Sequence, residues 1–171
     1  MDNGKLKIDK QYLAALVERE KHCAAVHEAG HFVILTAMGG YGTARIWRNP
    51  SKALDERAWF GEVRIYADPA KQNLGHSYKE HFNVITPLPE RWRVYFGMAG
   101  EIAVCIEDGE DIDGIFNHLL DATDVISETD LRDMGDDWNF DDVAATVEIL
   151  KARWDSLIAI AGEIKLFPSD S

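Results

Sequence analysis

The chain has 171 residues, 46% of them hydrophobic and 28% charged, with a formal net charge of −12. That length and balance fit one globular domain with a real apolar core and exclude an intrinsically disordered chain. The acid excess, with no Lys/Arg cluster, excludes a nucleic-acid partner, because a phosphate backbone needs concentrated positive charge. No apolar run approaches the ~20 residues that span a bilayer. The opening "MDNGKLKIDK" has no apolar stretch of the kind a secretory leader carries, so a cytoplasmic protein is expected. Its two cysteines, Cys23 and Cys105, are then reduced and packed as small hydrophobes.

No repeat, linker or low-complexity block divides the sequence, so a single domain over 1–171 is expected, with an ordered core of about 9–166. From Lys10 to Met38 the apolar positions Leu13, Leu16, Val17, Cys23 and Ala24 recur at helical spacing. Asp9 can cap this helix and Gly39-Gly40 can end it, with room for a break near Glu20 to His22. "ARIWRN" (44–49) and "GEVRIYAD" (61–68) alternate and predict a β-ribbon. Val63 and Ile65 then share one face, and Glu62, Arg64 and Tyr66 the other. Residues 68–89, with Pro69, Gly75, Pro87 and Pro89, read as irregular. "PERWRVYFGMAGEIAVCIEDG" (89–109) predicts a helix rich in small residues, and "GIFNHLLDATDV" (114–125) another. "SETDLRDM" opens a third, with Ser127 as cap and Asp130 three residues on, close to a capping box. Residues 139–164 read as one long terminal helix with Val143, Val147, Leu150, Trp154, Leu157 and Ile158 on one stripe, and "FPSDS" as a frayed tail.

The first helix carries H-E-x-x-H as His27, Glu28, Ala29, Gly30 and His31. Residues i and i+4 lie on one helix face with Cβ atoms about 6 Å apart, so both imidazoles can reach one tetrahedral Zn²⁺. Glu28 is offset by one residue, where its carboxylate can address a water instead of the ion. Burying unpaired His and Glu in so apolar a segment is costly, and a metal accounts for all three residues together. Cys23 shares this face, but lies two turns and ~12 Å of rise from His31, too far to join the same ion. Gly30, a helix-interior glycine, predicts close packing against another element, the ribbon being the expected neighbour. A catalytic zinc takes three protein ligands and one water. No further His or Glu follows in "ILTAMGG", so the third ligand comes from far along the chain: Asp130, Asp124, Glu101 and Asp133 are candidates by placement. His22, His76, His81 and His118 sit in contexts more typical of surface histidines.

"AAVHEAGHFVI", followed by a ribbon, the small-residue helix "FGMAGEIAVCIEDG" and an Asp-bearing helix, resembles the peptidase domain of FtsH-type ATP-dependent zinc proteases. The resemblance is tight over the motif and loose from about Ala24 to Ile164. It implies a mainly α (α+β) fold, a helical zincin-like domain with a small β-ribbon beside the motif helix. It also implies Zn²⁺ on His27, His31 and a distant aspartate, with Glu28 as base. Asp130 is the best match for that aspartate and Asp124 its rival. The family usually carries a glutamate where Val104 stands. This chain also has no G-x-x-x-x-G-K-[ST] phosphate loop, so it is not expected to bind ATP itself. The implied activity is a zinc-dependent metalloendopeptidase acting on a peptide or unfolded protein. The resemblance leaves room for an unfoldase in trans and for a homo-oligomer. The competing reading is a non-catalytic, zinc-stabilised binding or regulatory module of the same descent.

Overall fold

A computed structural model describes residues 9–51, 53, 55–66 and 88–170. Eight elements follow in order: α1 (Lys10–Ala37), β1 (Tyr41–Arg48), β2 (Trp59–Tyr66), α2 (Trp92–Glu107), α3 (Ile112–Asp121), α4 (Glu128–Met134), α5 (Phe140–Ala152) and α6 (Trp154–Leu166). This is the mainly helical fold with a small ribbon expected from the sequence. The predicted irregular segment 68–89 lies outside the described residues except at 88 and 89, and His76 and His81 lie outside them entirely. No helix among the described residues is long and apolar enough to cross a membrane.

Helix α1 starts where Asp9 accepts a hydrogen bond from the Gln11 amide at 2.9 Å. It ends where Gly40 N–H reaches Leu35 C=O and Gly39 N–H reaches Thr36 C=O, with Gly39 at φ +91°. Glycine adopts that left-handed geometry without a Cβ penalty. α1 runs unbroken through Glu20 to His22, where the sequence left room for a break. Its second half is the buried one, from Ala25 to Leu35. There it packs along α2 and α6 and beneath the ribbon. The close neighbour of Gly30 is α2, not the ribbon: a Cβ at Gly30 would lie 2.6 Å from the Ala99 carbonyl oxygen and 2.7 Å from Ala103 Cβ. The small residues of α2 bring the two helix backbones together at the motif.

The ribbon is antiparallel, with Tyr41 opposite Tyr66 and Arg48 opposite Trp59. Ile46 and Ile65 are buried, and Val63 packs against the same core. On the opposite face Glu62 accepts from Arg45 across the strands and from Arg64 beside it, both at 2.7 Å. Tyr66, read as facing outward, is buried at the end of the ribbon.

α3 begins two residues before the predicted start, with Asp111 accepting from the Gly114 amide. It stops at Asp121, short of the predicted 125. The predicted terminal helix is two helices, broken at Arg153 with φ −121° and ψ 21°. The break has a tertiary cause: α5 packs on α2 while α6 packs on α1, and one straight rod would not serve both. Val143, Val147, Leu150 and Leu157 are buried as the stripe predicted, whereas Ile158 is exposed. The tail is not frayed throughout: Ser169 N–H donates to Ile46 C=O of β1 at 2.9 Å.

Candidate metal centre

His27 and His31 project from one face of α1 with ring centroids 4.7 Å apart. Their Nε2 atoms approach to 3.0 Å. Asp130, in the first turn of α4, faces both: Oδ2 is 3.5 Å from His27 Nε2, and Oδ1 is 3.5 Å from His31 Nε2. One ligand atom from each of the three residues lies within 4.8 Å of the other two. Asp130 reaches this point because Ser127 Oγ accepts its amide at 3.1 Å and starts α4 there. The side chain of Asp130 turns to the imidazoles rather than back to the Ser127 amide, so the predicted capping box is only half made.

The other candidates are elsewhere. Asp124 is exposed in the turn before α4. Asp133 pairs with Arg93 at 3.7 Å, and its carboxyl is raised by burial, which Arg93 partly offsets. His22 bridges Glu107 at 2.6 Å and Lys165 at 2.9 Å. His118 pairs with Glu101 at 3.2 Å. Glu101 itself approaches the far side of His27, 3.7 Å from Nδ1.

The donor set suits a divalent transition ion. His31 Nδ1 lies 2.6 Å from the Phe96 carbonyl, an acceptor only, so Nδ1 carries the proton and Nε2 of the neutral ring is a bare lone pair. That lone pair, the second imidazole and a carboxylate converge where one proton cannot satisfy all of them. Burial alone pushes the His31 imidazole down. The Asp130 carboxylate overturns this and, with Glu28 and the Phe96 carbonyl, lifts it to about 9. Asp130 is the mirror image: burial raises it, and the two imidazoles outweigh that and hold it far below the usual carboxylate range. The Asp130 carboxylate thus stays ionised beside the two imidazoles, where a cation offsets it: the proton that His31 takes up, or a metal ion in that proton's place. Two imidazoles and one carboxylate form a borderline-soft set that zinc accepts, with a fourth position left for water.

Glu28 is buried next to this group, with 7% of its surface exposed. Its carboxyl is raised by burial, which the neighbouring imidazoles partly offset. The ribbon covers it at Gly61, where any Cβ would overlap the Glu28 carboxylate. Likewise a Cβ at Gly100 of α2 would lie 2.5 Å from the His27 ring. The sequence reading missed both contacts, since each depends on which element crosses α1. The site opens onto a cleft of about 900 Å³, walled by Trp47, Trp59, Phe60 and Val63 from the ribbon and by Phe96 and Val104 from α2.

No protein-family model matches the sequence, and no curated protein matches it to significance.

Proposed function

We propose that this chain is a zinc-dependent metallopeptidase, built like the peptidase domain of FtsH-type proteases. The observation that carries it is the convergence of His27, His31 and Asp130 beside a buried Glu28, at the floor of an open cleft. Zinc held there would supply Lewis acidity to the hydrolysis of a peptide bond. His27, His31 and Asp130 would hold the ion. Glu28 takes the proton of the attacking water and hands it to the departing amine; its raised proton affinity suits a group that must carry a proton between two steps.

The ribbon orients the substrate. Asn49 N–H bonds Ala58 C=O, so hydrogen-bonded pairs alternate along the ladder and the main chain of Trp59, Gly61 and Val63 faces away from β1. Among the described residues no strand pairs with that edge. An extended peptide laid along it runs past Glu28 and is held by main-chain bonds that read little sequence.

The test is metal analysis coupled to hydrolysis of an unfolded substrate such as casein. Wild type is expected to hold one zinc per chain and cleave; His27→Ala, His31→Ala and Asp130→Asn lose the metal. Glu28→Gln keeps the metal and loses the cleavage. Retained cleavage in Glu28→Gln overturns its role as base. A wild-type chain that binds zinc and leaves casein intact marks a binding module instead of a peptidase.

A further inference from the structure

The two imidazoles of the site differ in what holds them from behind. His31 is fixed by its bond to the Phe96 carbonyl. His27 turns Nε2 to the site, and its Nδ1 faces Glu101 Oε1 at 3.7 Å. Among the described residues no other acceptor bonds that nitrogen. The other carboxylate oxygen of Glu101, Oε2, meets His118 Nε2 of α3 at 3.2 Å. Glu101 is thus anchored at one end and aimed at His27 with the other. Its neighbour Gly100 leaves the space in which the His27 ring lies, so consecutive residues of α2 provide both the room and the charge.

We propose that Glu101, held in place by His118, is the positioning residue that fixes the ring orientation and tautomer of His27, keeping the proton on Nδ1 and the lone pair of Nε2 on the metal. The inference rests on the zinc reading above. A histidine ligand that donates its second N–H to a carboxylate is a stronger and better-oriented donor. The present 3.7 Å is an ion-pair distance, and a side-chain adjustment of under ~1 Å makes it a hydrogen bond. Glu101 is not itself a ligand, because it lies at the ring nitrogen opposite the one the site uses. Glu101 lines the cleft, and its contact with His118 keeps the carboxylate from swinging into it.

The experiment is equilibrium competition for zinc between the protein and a chromophoric chelator, with cobalt(II) absorption reporting the ligand set. Glu101→Gln, nearly isosteric, is expected to bind zinc roughly 10–100-fold more weakly while keeping a wild-type cobalt spectrum at saturation. Glu101→Asp, which keeps the charge, recovers part of the loss. His118→Ala weakens binding in the wild-type background and adds nothing to Glu101→Gln, a coupling that a merely structural role would not produce. Wild-type affinity in both Glu101→Gln and Glu101→Asp overturns the proposal, as does a cobalt spectrum that loses a ligand. Additive losses for His118→Ala overturn the anchoring role. If wild type takes up no metal, the centre and this inference fall together. If wild type binds zinc but does not cleave casein, only the peptidase reading falls, and the affinity series still decides the role of Glu101.

Discussion

Glu28 is held from two sides: its own helix sets its depth, and the backbone of Gly61 closes over it without a Cβ between them. Gly61→Val therefore pushes on the carboxylate directly. A displacement of about 1 Å at a catalytic group costs on the order of 10²-fold in rate. Casein turnover by Gly61→Val is expected to fall by roughly that factor while zinc content, measured by atomic absorption, stays at the wild-type level. A parallel loss of zinc would show that the ribbon supports the ligands rather than the base. At this scale much of the site was legible. His27, Glu28 and His31 follow from helical spacing, whereas Asp130, three residues after a capping serine, was the better match of two aspartates, with Asp124 its rival. Glu101 was legible only as one of four candidate ligands by placement. Its place behind His27 depends on how α1 crosses α2, and that crossing is not encoded in local periodicity.

Between elements, α1 approaches α2 closely at Gly30. Replacing a helix-interior glycine with alanine ordinarily gains ~1 kcal/mol from helix propensity. Here the added methyl meets a backbone oxygen at 2.6 Å, and a carbonyl locked in its own helix cannot give way as a flexible side chain can. Overpacking of this kind costs about 1–3 kcal/mol. Gly30→Ala is expected to be net destabilising by about 1 kcal/mol or more in urea unfolding; a stabilised variant would mean that the helices part without cost. The sequence signalled a close neighbour through Gly30 but not its identity, because a glycine records that something approaches and nothing about which element does. The long terminal helix failed for a related reason. Periodicity from Val143 to Ile158 is continuous, so only the need of α5 and α6 to bury their stripes on different partners reveals the break at Arg153.

Over the whole molecule, the surface carries a formal charge of −12, so acidification relieves self-repulsion at the same time as it removes particular carboxylate contacts. One such contact ties the entrance of α2 to that of α5. Arg91 donates to both oxygens of Asp142 at 2.7 and 2.6 Å, and Asp142 in turn accepts the Asn139 amide at 3.0 Å to complete a capping box. The Arg91 guanidinium holds the Asp142 carboxyl below its ordinary value, against the opposing effect of burial. Because the folded value is the lower one, this stabilisation is full above the unfolded carboxyl range near ~4 and is lost as pH falls through the folded value. Thermal midpoints of Asp142→Asn are expected to lie below wild type at pH 6 and to converge with it towards pH 3. A gap that persists to pH 3 would assign the effect to packing rather than ionisation.

The bond from Ser169 to Ile46 has a consequence for how the molecule meets its own kind. Bare strand margins are templates on which chains add to one another, and a two-stranded sheet begins with two of them. The C-terminal segment blunts the margin of β1; among the described residues no strand pairs with that of β2, beside Glu28. On the peptidase reading proposed above, a chain that docks there is presented to the cleft instead of propagating a stack, and an edge that would seed precipitation serves as a loading position.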